Sequence, residues 1–190
     1  MLSAVPTQKR RGPHSTTAVC ILAAGSGTRM GPYATWVHKA LLPVRDIAAI
    51  SHIVLKFEAL LGEEAHFVVA VGFRAHDVIE YLSLAHPRSK FTFVNVADYS
   101  GPGSGPGASL LACREQLPEA FYFVCCDTLW DSWQIPTNLA GQDWIAVAGV
   151  PGEETPAYCN ARLVDSEVTG FLDKALAIDP GFKAFIFPDQ

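Results

Sequence analysis

The sequence lacks any apolar run of the roughly 20 residues that a transmembrane helix needs. Its N-terminus also lacks the apolar core of a secretory signal. Charged side chains make up only 17% of the 190 residues, and 19 acidic residues against 14 basic ones give a net charge of −5. Nucleic-acid-binding surfaces are normally basic. We therefore expect no membrane partner and no nucleic-acid partner.

The sequence also lacks a C-x-x-C pair, although it has five cysteines. A disulfide framework is typical of shorter chains with an even cysteine count. Zinc binding would require histidines close to the cysteines, and none cluster there. We expect reduced core thiols and a cytoplasmic protein. The cysteines are Cys20, Cys113, Cys125, Cys126 and Cys159.

Two widespread glycine motifs are missing as well. The P-loop pattern G-x-x-x-x-G-K-[ST] does not occur. The dinucleotide fingerprint G-x-G-x-x-G is not matched at Gly25, because the last glycine, Gly31, comes one residue late and Pro32 bends the chain after it. Asp46 nevertheless lies at about the distance at which an acidic residue binds a ribose in that fold, so this alternative stays open.

Apolar runs and amphipathic segments alternate along the chain. Continuous apolar runs predict buried strands over 18–24, 66–71, 91–96, 121–126 and 144–150. Helical spacing of apolar residues predicts helices over 48–61, 75–83 and 109–116. A hairpin around 165–167 and a strand over 183–187 complete the pattern. It is typical of an α/β fold whose mostly parallel sheet is sandwiched by helices.

Three candidate features follow predicted strands directly: a glycine loop at Gly25, a glycine at Gly72 and a carboxylate at Asp127. Crossovers of one hand bring the carboxyl ends of parallel strands to the same edge of a sheet. Ligands bind such sheets at that edge, where the strand order reverses. We expect these three features to lie together.

The segment Leu22–Gly31 carries the strongest chemical signal. Its glycines permit close approach of the backbone and positive φ, so successive N–H groups can surround an anion. Arg29 can hold a phosphate through two hydrogen bonds, and Lys39 adds a point charge nearby. The segment predicts a phosphate-binding loop. The alternative is a glycine turn with a surface arginine and a solvated lysine.

The same segment, L-A-A-G-S-G-T-R-M, resembles the signature L-A-A-G-x-G-T-R-[LM] of the sugar-phosphate nucleotidyltransferases. The lysine that follows in that family resembles Lys39, with His38 in place of the usual proline. Weaker similarity continues over 69–73, 105–110, 126–127 and 171–174, where Asp173 replaces the usual glutamate. The resemblance covers about 18–187 and implies a Rossmann-like mixed sheet of the nucleotide-diphospho-sugar transferase type.

The resemblance implies a reaction between a nucleoside triphosphate and a phosphorylated small-molecule acceptor, with release of pyrophosphate. It assigns catalysis to Arg29 on the leaving phosphates, Lys39 between the α-phosphate and the acceptor, and Asp127 as the ligand of Mg²⁺. It allows a homo-oligomer. Nucleotide or substrate contacts are implied for Leu22, Ala23, Ala24, Gly25, Gly27, Thr28, Gly72, Gly105, Gly107, Ser109 and Lys174.

Several alternatives remain at this point. Asp127 could instead cap a helix beginning at Thr128. Residues 1–17 read as a flexible tail and 18–190 as a nucleotidyltransferase domain without the family's C-terminal segment, which supplies a second metal carboxylate. A nucleotide-binding regulatory domain, or a guanylyl- or cytidylyltransferase acting on another phosphorylated acceptor, is the alternative function.

Overall fold

A computed structural model describes residues 17–130, 135, 143, 145–147, 159–165, 167–172 and 182–185. In chain order its strands and α-helices are β1 (Thr17–Ala23), α1 (Tyr33–Trp36), β2 (Pro43–Val44), β3 (Ile47–Ala48), α2 (Ala49–Leu61), β4 (Ala65–Val71), α3 (Ala75–Ala85), β5 (Lys90–Asn95), α4 (Pro106–Ala112), β6 (Phe121–Cys125), β7 (Cys159–Val164), β8 (Glu167–Leu172) and β9 (Phe182–Phe185).

The central sheet has four parallel strands in the order β5-β4-β1-β6. The two middle strands, β1 and β4, are almost entirely buried, because helices cover both faces of the sheet. Val19, Ile21 and Ala23 of β1 join one apolar cluster, while Cys20 and Leu22 join a second one on the opposite face. This two-sided burial is why the strand reads as a continuous apolar run.

The helices divide between the two faces according to the direction of each crossover. α2 and α3, which lead from β1 to β4 and from β4 to β5, pack on the first cluster through Ile50, Val54, Val78 and others. α4 leads back past β1 to β6, and its Leu110 packs on the second cluster. The strand order therefore reverses between β1 and β6, as predicted for a doubly wound α/β sheet.

Two small antiparallel sheets accompany the central one. β2 and β3 form a two-stranded hairpin, and β7 pairs with both β8 and β9. The predicted hairpin around 165–167 is thus confirmed, and its turn uses a positive φ of 48° at Asp165. Aspartate tolerates this left-handed conformation better than most residues with a side chain.

Two element predictions were wrong. The helix expected to begin at Ser109 begins at Pro106 and ends at Ala112, and a separate 3-10 turn covers Arg114–Gln116. Proline is favoured in the first helical turn, which outweighs the cost of Gly107 there. Within the strand predicted over 144–150, the described residues 145–147 are not extended strand, and Val147 is partly exposed. An apolar run alone does not distinguish a strand from a packed loop.

Among the described residues, no helix is long and apolar enough to cross a membrane.

Replacing Gly72 by alanine should destabilise the fold. A Cβ there would lie 2.8 Å from the carbonyl oxygen of Ala24 and 2.8 Å from the Tyr99 side chain, so backbone would have to move. We expect a loss of about 1–3 kcal/mol in the free energy of unfolding. The matched control is Gly107→Ala in α4, where a Cβ meets nothing within 4 Å.

For Gly107→Ala we expect a gain of roughly 0.5–1 kcal/mol, because alanine loses less backbone entropy in a helix. Urea unfolding of both variants measures the difference. Equal effects of the two substitutions would contradict the packing assigned to Gly72.

Candidate functional site

The carboxyl ends of β1, β4 and β6 lie at one edge of the central sheet, because the three strands are parallel. The Gly25 loop follows β1, and Asp127 follows β6 after one further residue. Since the strand order reverses between β1 and β6, the loop and the carboxylate flank the crevice where sheets of this kind bind ligands. The expected convergence of these two features is confirmed.

An ion pair bridges the crevice between Lys39 and Asp127. The Nζ atom of Lys39 donates to Oδ2 of Asp127 at 3.0 Å. Both side chains are mostly buried, with 15% and 16% of their surface exposed. A lysine held this far out of solvent is not the solvated surface residue that the sequence left as an alternative.

A 3-10 turn over Lys39–Leu41 fixes the start of the lysine side chain. His38 precedes the turn, and its Nδ1 accepts a hydrogen bond from the N–H of Ala40 at 3.1 Å. From there the aliphatic stem of Lys39 runs beside Gly27, where a Cβ would come within 3.6 Å of the lysine. The stem therefore packs on the glycine loop while its charged end reaches Asp127.

The loop itself is a tight turn. Gly27 adopts the left-handed conformation (φ 63°, ψ 33°) and starts a 3-10 turn over Thr28–Met30, which ends at Gly31 with φ 62°. The N–H groups of Met30 and Gly31 bond to carbonyl oxygens within the loop, at 2.9 and 3.1 Å. Arg29 lies exposed on this turn. Positive φ explains the need for glycine at 27 and 31, whereas a Cβ on Gly25 would point into open space.

The predicted contact residues Leu22, Ala23 and Ala24 have buried side chains, so only their backbone is available at this edge. The Leu22 carbonyl accepts the N–H of Cys126 at 3.1 Å, and the Ala24 carbonyl accepts that of Phe73 at 2.9 Å. Gly72 allows the chain after β4 to come this close to the Ala24 carbonyl, because a Cβ at this position would clash with it. These bonds tie the segments that follow β4 and β6 to the start of the glycine loop.

The Asp127 carboxylate keeps one oxygen without a partner. Its Oδ1 is buried and makes no hydrogen bond to the described residues. No helix begins at Thr128, so the capping role left open by the sequence does not apply. A buried carboxylate oxygen with no donor is a suitable ligand for Mg²⁺, which prefers oxygen. Among the described residues no three His, Cys, Asp or Glu side chains cluster around a common point.

The neighbouring thiol is not a nucleophile. Complete burial raises the pKa of the Cys126 thiol well above its ordinary value, and the Asp127 carboxylate raises it further, against the opposing effect of Lys39. A thiol must lose its proton to attack. Cys126 therefore contributes packing, as do the buried thiols of Cys20, Cys113 and Cys125.

His38 is a residue whose function the sequence did not reveal. It is 1% exposed, its ring lies 6.3 Å from that of Phe73, and its Nε2 makes no regular hydrogen bond to the described residues. Burial lowers its pKa to about 4, and the charge of Lys39 adds to the effect, while the carbonyls of Gly25 and Ala23 oppose it. The ring is therefore neutral at pH 7 and joins the glycine loop to the Lys39 turn. The only signal in the sequence was that His38 stands where the sugar-phosphate nucleotidyltransferases, which the segment resembles, usually have proline.

Three of the remaining predicted residues belong to the start of α4. Gly105 immediately precedes α4, Gly107 lies in its first turn, and Ser109 is buried on it. As α4 leads from β5 to β6, its first residues lie at the carboxyl edge of the sheet. Gly107 is thus helical. Lys174 falls outside the described residues.

Acid should weaken the fold through His38. The pKa in the folded protein, about 4, lies below the ordinary 6.5. Between these pH values the unfolded chain binds more protons than the folded protein. The contribution of His38 to the free energy of unfolding is therefore fully present above about pH 6.5 and is lost as the pH falls towards 4. Such a difference corresponds to about 3 kcal/mol. His38→Asn keeps an acceptor for the N–H of Ala40 but cannot titrate. Between pH 7 and 4.5 its free energy of unfolding should fall by about 2–3 kcal/mol less than that of the native protein.

Denaturant unfolding at the two pH values measures this difference. His66 and His86 also have lowered pKa values because of burial, and they affect both proteins equally. The control is His76→Asn, because the His76 side chain is exposed on α3. An acid loss in His38→Asn as large as in the native protein would show that His38 does not titrate as described.

Comparison with known proteins agrees with this geometry. Residues 19–175 match the family model of the MobA-like NTP transferase domain. A search of curated protein sequences gives no match. Similar solved structures include a UDP-glucose pyrophosphorylase complexed with UDP-glucose, with 18% identity, a TM-score of 0.69, and coverage of 89% of this chain and 73% of that one.

A putative glucose-1-phosphate thymidylyltransferase from Bacillus anthracis has 18% identity, a TM-score of 0.71, and coverage of 89% and 69%. A UDP-glucose pyrophosphorylase from Acinetobacter baumannii has 16% identity, a TM-score of 0.65, and coverage of 89% and 72%. At this identity the structures establish the fold, while the family model matches most of the sequence. The chain belongs to the MobA-like NTP transferase domain family and is a nucleotidyltransferase by that membership.

Proposed function

We propose that the protein transfers a nucleotidyl group from a nucleoside triphosphate to a sugar 1-phosphate or a similar phosphorylated acceptor, with release of pyrophosphate. The observation that carries this proposal is the Lys39–Asp127 ion pair beside the Gly25 loop, at the reversal point of the sheet. In this proposal the pair brings together, in one crevice, a cation, a loop suited to an anion and a carboxylate suited to a metal ion.

The proposed reaction needs no protein nucleophile and no general base. An oxygen of the acceptor phosphate, already anionic, attacks the α-phosphorus as the bond to the bridging oxygen of the β-phosphate breaks, and pyrophosphate leaves with that electron pair. The barrier comes from bringing anions together and from charge on the phosphoryl oxygens. Positioning and cations lower such a barrier. The protonated thiol of Cys126 is consistent with direct transfer.

Lys39 is the group we assign to the α-phosphate and the attacking phosphate. In the absence of ligand its charge is balanced by Asp127 at 3.0 Å. A bound triphosphate offers stronger and more numerous acceptors, so the ammonium group can move to the phosphates while its stem stays against Gly27. Arg29, exposed on the glycine loop, is assigned to the leaving β- and γ-phosphates.

Asp127 is the residue that would hold Mg²⁺. Its buried Oδ1 has no donor, and Oδ2 is released when Lys39 turns to the phosphates. When bound, the cation would offset negative charge on the phosphates and complete its coordination with phosphate oxygens and water. One carboxylate is sufficient as a protein ligand in such an arrangement.

The backbone is assigned to recognition of the nucleotide. Gly25 leaves open space where a Cβ would stand, which suits a phosphate against the main chain. Gly105 and Gly107 are assigned to the base edge and Ser109 to the same pocket, since α4 begins at the carboxyl edge of the sheet. Lys174 is assigned to the acceptor phosphate. The backbone around the loop is assigned to the same nucleotide contacts, at Leu22–Ala24, Thr28 and Gly72.

A sugar 1-phosphate is the acceptor we favour, because the similar structures include a UDP-glucose pyrophosphorylase and a glucose-1-phosphate thymidylyltransferase. A guanylyl- or cytidylyltransferase for a different phosphorylated acceptor is the second candidate, and the MobA-like family model favours it. The buried thiols of this protein suit a cytoplasmic enzyme.

A coupled pyrophosphate-release assay tests the proposal with a panel of nucleoside triphosphates, sugar phosphates and other phosphorylated acceptors, each with Mg²⁺. Release is expected with at least one pair. Lys39→Met should lower turnover by about 100-fold or more, as loss of one preorganised charge costs about 3–4 kcal/mol in such sites. Lys90→Met is the control, because Lys90 donates to a backbone carbonyl at the opposite end of the sheet.

Calorimetry on the same proteins separates binding from turnover. Nucleotide binding without release for any pair would assign the chain a binding role only. Turnover that survives in Lys39→Met would show that the role given to Lys39 is wrong.

Asp127→Asn should separate metal use from nucleotide binding. Asparagine keeps the size of the side chain but removes the charge that holds Mg²⁺, so we expect turnover to fall by about 100-fold or more, while nucleotide affinity without Mg²⁺ stays equal or rises. The rise follows because Lys39 no longer has a competing carboxylate. Asp165→Asn, in the turn between β7 and β8 of a separate sheet, is the matched control. The same Mg²⁺ dependence in Asp127→Asn as in the native protein would remove Asp127 as the metal ligand.

A further inference from the structure

A second cationic cavity lies next to Asp127 along the chain. It has a volume of about 220 Å³ and three walls. Val44 and Arg45, in the turn between β2 and β3, form the first. His52, Ile53 and Lys56 on one face of α2 form the second, and residues 128–130 form the third. We call it the Arg45 cavity.

Arg45 occupies a conformation that its side chain disfavours. Its φ is 58°, and it is the first of the two residues in the hairpin turn between Val44 and Ile47. Two-residue hairpin turns with positive φ at this position favour glycine. An arginine kept there at a cost to the fold indicates a use for its guanidinium group, because strained residues persist where function requires them.

Thr128 adds a buried donor without a partner. The residue is 9% exposed, and its Oγ1 is buried and makes no hydrogen bond to the described residues. An unsatisfied buried hydroxyl is unfavourable, whereas valine would fill the same space without that cost. Since Thr128 lines the Arg45 cavity, a rotation of its side chain would present the hydroxyl to an acceptor that enters the cavity.

Lys56 and Trp130 also line the cavity and contact each other. The Nζ of Lys56 lies over the Trp130 ring, 5.0 Å from its centre, and the ring also packs edge-on against Phe57 at 5.9 Å. His52 donates from Nε2 to the Val44 carbonyl at 2.9 Å and so holds the turn against α2. Two permanent positive charges, a hydroxyl and an indole face therefore line one small cavity, and no acidic side chain of the described residues lines it.

We propose that the Arg45 cavity is a binding site for a small oxyanion, a phosphate or a carboxylate, separate from the Gly25 loop. Arg45, Lys56 and Thr128 would supply the donors, and Trp130 would cover attached carbon atoms. A bound anion would offset the mutual repulsion of the two cations, the unsatisfied hydroxyl and the strained turn together. The oxyanion is either the second anionic group of an acceptor lying across Asp127 or a group of a separate small molecule.

Inorganic phosphate is the probe for this site, followed in ¹H–¹⁵N NMR spectra of the whole chain. The indole N–H of Trp130, assigned with Trp130→Phe, and the amide of Thr128 should shift saturably in the native protein. The shifts should be lost, or need at least ten times more phosphate, in Arg45→Gly and Lys56→Met. They should persist in Lys39→Met, which affects the other site, and in Arg88→Gly, which removes an exposed charge elsewhere.

Thermal unfolding without phosphate supplies the second readout. Arg45→Gly relieves the positive φ, and Thr128→Val removes an unsatisfied hydroxyl, so both should unfold at an equal or higher temperature than the native protein while binding phosphate more weakly. Arg45→Lys should retain part of the affinity. Loss of binding together with higher stability distinguishes a ligand site from a structural role.

The proposal is overturned if phosphate produces no saturable shift at Trp130 and Thr128. It is also overturned if Arg45→Gly and Thr128→Val bind as the native protein does, or if Lys39→Met alone abolishes the shifts. None of these binding measurements requires turnover, so they stand apart from the proposed nucleotidyl transfer.

A kinetic comparison identifies the source of the oxyanion, and this part alone rests on the proposed function. If the acceptor supplies it, Arg45→Gly should raise the KM for an acceptor with two anionic groups at least tenfold and leave that for a monophosphate unchanged. If a separate molecule supplies it, both KM values should be unchanged while phosphate binding is still lost. Either result supports the site.

Discussion

The ion pair between Lys39 and Asp127 joins segments 88 residues apart and closes the crevice at the reversal point of the sheet. Such a pair adds little to stability, because removing both charges from water costs about as much as their attraction returns. Its significance lies in preorganisation. In the free protein each charge is balanced by the other, and in the proposed reaction a triphosphate with its metal would replace both partners at once. Three segments hold the Lys39 and Asp127 side chains within reach of each other: the Gly25 loop, the 3-10 turn over Lys39–Leu41 and the segment after β6.

The arrangement depends on His38 in a way that backbone geometry makes clear. Its φ of −65° is the value that a proline ring imposes, so a histidine replaces the proline of the resembling family without changing the chain path. It then adds what proline lacks, an acceptor for the Ala40 N–H and a ring that packs near Phe73 and the carbonyl of Gly25. Because burial keeps the ring neutral, it would not compete with Lys39 for a phosphate in the proposed reaction.

Much of the fold and the glycine loop could be predicted because their causes are local. The buried strands are apolar on both sides, and Gly27 and Gly31 require positive φ, so both leave direct traces in the sequence. The contact between Lys39 and Asp127 depends on two chain segments meeting at a sheet edge, and only the general rule for parallel sheets anticipated it. The start of α4 was missed because Gly107 obscured a helix that Pro106 begins.

The Arg45 cavity has no sequence motif at all, since its donors come from a turn, a helix face and the segment after β6. What identifies it is conflict between local preference and observed structure: an arginine where glycine is favoured and a threonine hydroxyl without a partner. Natural sequences depart from local consistency mainly where function requires it. Asp127 and Thr128 are consecutive, one facing Lys39 and the other lining this cavity. The short segment after β6 thus contributes both to the ion pair and to one wall of the cavity.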